Sequence, residues 1–148
     1  MVEVNIKNKK AWHEYEILEK YVAGIQLTGT EIKSIRAGKA SLVDSYCYFN
    51  QGELFVKGMH VTEYDFGNIF NHFPKRDRKL LLTRRELKKL EKSIKEKGLT
   101  IVALKIFVAK SNYAKLEIAL ARGKKEFDKR EDIKKKDTQR ELDRMMKR

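Results

Sequence analysis

The spacing of apolar positions changes along this chain, and each change predicts where one kind of element gives way to another. Over 13–27, Tyr15, Ile17, Tyr21, Val22, Ile25 and Leu27 alternate unevenly with polar residues, the pattern of a strand. Ala23-Gly24 inside it predicts a bulge or a close backbone approach. Residues 28–38 change period. Ile32 and Ile35 lie three apart, Thr30 can cap the start and Gly38 can close the end, which predicts a short helix. Residues 45–60 return to alternation, with Tyr46, Tyr48, Leu54 and Val56 around Asn50-Gln-Gly-Glu53, a β-hairpin with glycine where the turn needs a positive φ. Residues 61–74 show no period and contain Gly67, Asn68, Asn71 and the single proline, Pro74. They predict a long connection with room for one helical turn.

The second half is more regular. Lys75-Arg-Asp-Arg-Lys79 runs directly into Leu80, Leu81 and Leu82. Thr83-Arg-Arg-Glu86 is a capping box, in which the hydroxyl and the carboxylate each satisfy an orphan amide. Leu87, Leu90 and Ile94 then share a helical face, Gly98 ends the helix, and Lys88, Lys89, Lys92 and Lys95 line the other side. Residues 99–109 are rich in Ile, Val and Phe, and residues 113–121 alternate around Leu116, Ile118 and Leu120. Both predict strands, with Ser111-Asn112 as the tight connection between them. The whole predicts a β-rich (α+β) body of about five or six strands. Consecutive hairpins make the sheet mostly antiparallel, best accommodated as a small half-open or closed barrel with helices on its rim. An RRM-like sandwich competes, but Lys105-Ile-Phe-Val-Ala109 is a poor match to the aromatic strand it requires.

After Ala121 the pattern stops. Residues 123–148 carry charges of both signs, and their large apolar residues are Phe127, Ile133, Leu142, Met145 and Met146 alone. Such a segment buries too little apolar surface to offset its ordering entropy, so it predicts a mobile tail in the free protein. The division is a body over 1–122 and a tail over 123–148. Glu131–Lys135 and Asp132–Lys136 are helix-supporting pairs, and Leu142, Met145 and Met146 share a face. These contributions are too small to order a lone helix, so the tail is expected to become helical only in a binding site. A helix permanently docked on the body is the alternative.

Charge narrows the partners. The 148 residues hold 34 Lys and Arg against 21 Asp and Glu, a net +13, which favours polyanions, nucleic acid ahead of an anionic membrane. No stretch has the length of a signal-peptide core or a membrane span, and Cys47 is the lone cysteine, so a cytoplasmic location with no disulfide and no cysteine zinc cluster is expected. Enzymatic signals are weak. His13, His60 and His72 are scattered near Glu14, Glu53 and Asp65, with no spacing that pairs two ligands on a helix. Gly24-Ile-Gln-Leu-Thr-Gly29 has phosphate-loop spacing but continues Thr30-Glu31 where lysine and a hydroxyl residue are required, so nucleotide hydrolysis is set aside. Cys47 reads as a buried thiol. Basic clusters stand instead at Lys7/Lys9/Lys10, Lys75/Arg76/Arg78/Lys79, Arg84/Arg85 and Lys124/Lys125. They suit phosphate neutralisation, and Trp12, His13 and Tyr15 beside the first suit stacking on splayed bases. A core position is the alternative for Trp12 or Tyr15, equally weighted for Trp12, while His13 is expected to be exposed. Of Leu80 to Leu82, alternation on a strand leaves one either against the helix over 83–97 or facing outward beside Arg78 and Lys79, with burial expected for any single one.

These pieces spell a family. Asn8-Lys-Lys-Ala11, His13-Glu-Tyr15, Ala23-Gly-Ile25, Gly29-Thr-Glu-Ile-Lys-Ser-Ile-Arg-Ala-Gly38, Asp44-Ser-Tyr46, Gly67-Asn68, Asn71-His72, Arg78-Lys-Leu-Leu-Leu82, Lys97-Gly98, Glu117-Ile-Ala-Leu-Ala121, Gly123-Lys-Lys125, Asp128-Lys-Arg130 and Asp132-Ile-Lys134 run nearly end to end. The chain resembles the small protein B family, the SsrA-binding (tmRNA-binding) proteins of bacterial trans-translation. The resemblance implies an OB-like antiparallel barrel, no enzymatic activity and no cofactor. It implies a monomeric adaptor that holds the tRNA-like domain of tmRNA and reaches a stalled ribosome with elongation factor Tu and GTP. Carried onto this sequence, it places RNA contact on Lys9, Lys10, His13, Tyr15, Arg78, Lys79 and Leu81, with Lys115, Lys124 and Lys125 on the same basic surface. Phe127, Asp128, Lys129 and Arg130 fall to the decoding centre, and Met145 and Met146 to the empty mRNA channel. Three positions depart from the pattern: Val22 where an acidic residue is common, Thr83 where His or Asn is common, and Phe127 where His or Tyr is common. Phe127 keeps a stacking face without a polar tip.

Overall fold

The protein is described by a computed structural model over residues 4–64, 71–108 and 113–124. Lys125, the expected decoding-centre and channel residues, the tail helix and the Ser111-Asn112 connection lie outside the described residues. The elements in order are β1 (Asn5–Lys7), α1 (Lys9–Glu14), β2 (Tyr15–Ile25), α2 (Gly29–Arg36), β3 (Ala40–Ser41), β4 (Tyr46–Asn50), β5 (Glu53–Lys57), β6 (His60–Val61), β7 (Arg78–Leu81), α3 (Arg84–Lys97), β8 (Thr100–Val108) and β9 (Ala114–Gly123). Pairing is antiparallel throughout and follows the order β1-β8-β4-β5-β7-β2-β9, with β9 also pairing β8. β3 and β6 form a separate two-stranded ladder.

The strands sort their side chains as their alternation dictates. Leu116, Ile118 and Leu120 of β9 point into the main core with Leu54 and Val56 of β5 and Ile101, Ala103 and Ile106 of β8. On the other side of the sheet a smaller cluster gathers Ala11, Val102, Leu104, Ala119 and Ala121. β8 is thus buried on both sides along part of its length, which explains its unbroken apolar run. The β4–β5 hairpin turns through Gln51 at φ 53° and Gly52 at φ 78°. Two consecutive positive φ values are what a two-residue hairpin turn requires. Helix α3 matches its sequence signals: the Thr83–Glu86 capping box is formed, Leu90 is buried, and Leu87 and Ile94 pack on the core.

Several expectations are corrected. The predicted strand begins at Tyr15, and His13 belongs to α1, a helix too short for periodicity to reveal. The cap of α2 is Thr28, whose hydroxyl accepts from the Glu31 amide at 3.4 Å, while Thr30 Oγ1 instead meets His72 Nδ1 at 2.8 Å. The bulge of β2 lies between Ile17 and Glu19 rather than at Ala23-Gly24. Gly24 keeps register and serves close approach, since a Cβ there would stand 3.3 Å from Leu81 Cβ. Part of the connection after residue 61 is fastened down. Val61 N donates to Pro74 O at 2.8 Å, and His72 Nε2 bonds Val61 O at 2.9 Å.

At the centre of these attachments sits a buried ion pair. Arg78, with no exposed surface, donates Nε to Glu31 Oε2, Nη1 to Met59 O (2.8 Å) and Arg76 O (2.9 Å), and Nη2 to Pro74 O (3.2 Å). Glu31, equally buried, accepts from the Thr28 amide at 2.9 Å and from Arg76 Nη2 at 2.6 Å through its other oxygen. Burial alone would raise the Glu31 pKa. The Arg76 and Thr28 hydrogen bonds and the Arg78 charge outweigh it and hold the carboxyl at about 2.

The folded value lies below the ordinary 4.5, so the pair's contribution is complete above that value and is lost as pH falls toward about 2. This group alone should remove about 3 kcal/mol of stability between pH 5 and pH 2. Glu31→Gln should cost about 3–5 kcal/mol at pH 7 by leaving Arg78 buried without a counter-charge, and should flatten that part of the pH profile. Urea unfolding at pH 7 and pH 3 measures both, and equal pH dependence in the two proteins would contradict the assignment.

Candidate nucleic-acid interface

The outward face of β7, β2, β9 and β8 follows from register. Leu81 pairs Gly24, Gly24 pairs Lys115, and Lys115 pairs Phe107, so these four stand in one row across four strands. The next row along β2 sets Val22 opposite Glu117 and Glu117 opposite Lys105. Lys20 is one step further on the same side, its Nζ 4.8 Å from the Trp12 ring centroid. Leu81 is 52% exposed, Val22 49% and Trp12 44%, large apolar surfaces left uncovered among lysines.

A second bulge makes this face possible. β8 slips by one residue between Ala103 and Lys105 against β9. The extra residue lets Leu104 turn into the small cluster under α1 while Lys105 still faces Glu117. Carbonyls near the bulge also hold α1. Asn8 N donates to Leu104 O at 2.8 Å, Asn8 Nδ2 donates to Ala103 O at 2.9 Å, and Asn8 Oδ1 accepts from the Ala11 amide at 3.4 Å. One buried asparagine thus caps the helix and fixes it to the sheet. The far end is closed by β9, where Lys124 N donates to Glu14 O at 2.9 Å and Lys124 Nζ to Trp12 O at 3.2 Å.

The expected contact residues separate into groups. Lys9 and Lys10 are exposed on α1, and Lys10 pairs Asp44 at 2.9 Å, a bond exposed enough to exchange for a phosphate. His13 and Tyr15 are half-buried, Tyr15 packing against the small cluster. Leu81 is the outward leucine of its triplet, with Leu80 buried and Leu82 packed on the core. Lys79 pairs Glu53 at 2.8 Å beside a groove of about 880 Å³ between the β4–β5 turn and α3. Lys115 and Lys124 lie on the outward face and at its end. Arg78 is the correction. Its guanidinium has no exposed surface and serves Glu31, so it supports β7 instead of meeting a phosphate.

Sequence reasoning did not select Lys20, Lys105, Phe107 or Glu117. Alternation with Val22 and Lys115 could have found Lys20 and Glu117. Lys105 and Phe107 depend on the bulge, which shifts their parity. The chemistry offered is cationic, apolar and aromatic. His72 is buried with both ring nitrogens engaged, and burial pushes the Cys47 thiol up to about 12, far from a nucleophile's range. Among the described residues no group of three His, Cys, Asp or Glu could hold a metal ion, and no helix is long and apolar enough to cross a membrane.

Fold and face together define a class: a small β-rich protein that offers lysines and flat apolar side chains to a polyanion. The family model described as SmpB protein matches residues 5–148. The chain is 59% identical over 145 residues to the SsrA-binding protein of Phocaeicola vulgatus, covering 98% of this chain and 97% of that one. It is 51% identical over 146 residues to the SsrA-binding protein of Carboxydothermus hydrogenoformans, covering 99% and 97%. A solved chain described as "tmRNA-SmpB: a journey to the center of the bacterial ribosome" superposes with a TM-score of 0.69 at 46% identity, covering 83% of this chain and 86% of that chain. The chain belongs to the SmpB protein family.

Asn8→Ala should remove the cap and the side-chain anchor to Ala103 O at once, leaving the backbone bond from residue 8 to Leu104 O in place. A loss of about 2 kcal/mol is expected, at the upper end for a single cap. Amide exchange should show residues 9–14 opening before the rest of the sheet, and uniform protection would refute the anchoring role.

Proposed function

We propose that this chain is a non-enzymatic RNA-binding adaptor. It binds the tRNA-like domain of tmRNA (SsrA RNA) and delivers it to stalled ribosomes for trans-translation rescue. The observation that supports this most is the outward row of Leu81, Gly24, Lys115 and Phe107, Leu81 exposed and the other three half-buried, in a chain of the SmpB family. Lysines supply affinity through counterion release, and exposed apolar and aromatic surfaces supply selectivity for splayed bases. The pairing of β9 back to β8 supports an OB-like barrel as the holder of the RNA.

Within this reading Lys9, Lys10, His13, Tyr15, Lys79, Leu81, Lys115, Lys124 and Lys125 form the RNA surface. Elongation factor Tu with GTP joins through the aminoacylated RNA, and the adaptor works as a cytoplasmic monomer. Phe127, Asp128, Lys129 and Arg130 act at the decoding centre. Residues 132–146 become helical on binding, with Met145 and Met146 in the empty mRNA channel. The run of β9 to Gly123 and the bond from Lys124 to α1 support counting these two residues with the body.

Truncation after Lys124 should leave affinity for the tRNA-like domain nearly intact and abolish tagging of stalled peptides in a reconstituted translation system. Loss of RNA binding on truncation would overturn the division of labour. Lys115→Ala should weaken binding and reduce the slope of log K against log salt by about one. Equal affinity of the intact protein for unrelated RNAs would mark a general RNA chaperone instead.

A further inference from the structure

One acidic side chain stands in the middle of the basic face, and its surroundings are built around it. Glu117 faces outward on β9 between Lys20 of β2 and Lys105 of β8. Lys105 Nζ is 3.6 Å from one carboxylate oxygen and Lys20 Nζ is 4.0 Å from the other. Each of these lysines also lies over an aromatic ring, Lys20 over Trp12 at 4.8 Å and Lys105 over Phe107 at 5.5 Å. The result is a line across the sheet: Trp12, Lys20, Glu117, Lys105, Phe107. The residue directly opposite Glu117 on β2 is the exposed Val22, which makes no polar demand on it.

A carboxylate at the centre of a phosphate-binding surface opposes binding unless it gains something from the ligand. Two lysines neutralise it, yet both stand beyond a good hydrogen-bond distance, so its lone pairs remain available to a better donor. A carboxylate is an acceptor only, and RNA offers it amino and imino groups on base edges and ribose 2′-hydroxyls, never phosphate oxygens. Flat and apolar neighbours at Phe107, Val22 and Leu81 suit a base splayed out of its stack. We propose that Glu117 reads the amino edge of an unpaired base in the bound RNA, with Lys20 and Lys105 holding its carboxylate in place. This rests on the RNA-face reading above and deepens it. The lysines of the face then supply affinity, while Glu117 supplies discrimination.

The full-length protein is titrated by gel shift with a transcript of the tRNA-like domain of SsrA RNA and with an unrelated duplex RNA of equal length, over a salt series. Glu117→Ala should bind the tRNA-like transcript about tenfold more weakly, the loss of one base-edge hydrogen bond. It should bind the duplex as tightly as before or more tightly, because a negative charge has gone. Glu117→Gln keeps the shape and one acceptor oxygen. It should lose part of the preference and keeps the test decisive if the alanine variant folds poorly. Glu117→Ala or Glu117→Gln binding the tRNA-like transcript as tightly as the parent, or more tightly, would overturn the proposal and make Glu117 a spacer between two lysines. Lys115→Ala is the control for the face itself. If that change leaves both RNAs bound equally well, or the parent shows no preference between them, the RNA-face reading falls and this proposal with it.

Discussion

Glu31 and Arg78 meet at the point where α2, the exit of β5, the segment before β7 and β7 itself converge. Neither group could be buried alone, because an unpaired charge in the interior is far more costly than a matched pair. Met59, Pro74 and Arg76 supply carbonyls to three of the four remaining guanidinium N–H donors, so the charge is satisfied in several directions at once. Once Arg78 is fixed facing inward, alternation fixes Lys79 and Leu81 facing outward. The placement of the exposed leucine on the outward face is therefore a consequence of a salt bridge on the opposite side of the strand.

A second constraint comes from the bulges. A regular β8 could not place Leu104 under α1 and Lys105 beside Glu117, since neighbours on a regular strand face opposite ways. The bulge resolves this by giving two residues of β8 to one of β9. The carbonyls of Ala103 and Leu104 are taken by Asn8, so the irregularity also seats the helix that carries Lys9, Lys10 and Trp12. Fold defect, helix anchor and contact surface are one feature, in agreement with the tendency of bulges to accompany functional sites.

Sequence legibility follows from how local each cause is. Helix α3 was readable because capping box, apolar stripe and terminal glycine all lie within sixteen residues of one another. The β4–β5 hairpin was readable for the same reason. Helix α1 was not, since six residues with one buried alanine carry no period and its anchor is on β8, 95 residues away. Arg78 was misread as a surface cation because a run of basic residues looks uniform until its register is known. The partner that turns it inward, Glu31, is 47 residues distant. Lys105 and Phe107 escaped because a one-residue slip inverts which side a strand presents.

As the proposed RNA surface, this face divides two physical tasks. Phosphate attraction depends on the number of cations and only weakly on their exact arrangement, and the chain supplies it generously with a net +13. Selectivity needs groups whose value depends on position. Leu81 and Val22 contribute only where a base or ribose covers them, and an exposed apolar side chain in a charged field gains nothing from a bare phosphate. The aromatic rings under Lys20 and Lys105 each orient a cation, and a flat ring freed of its lysine is a surface suited to stacking. A face assembled from four strands in fixed register holds such position-dependent groups more firmly than a charged tail can.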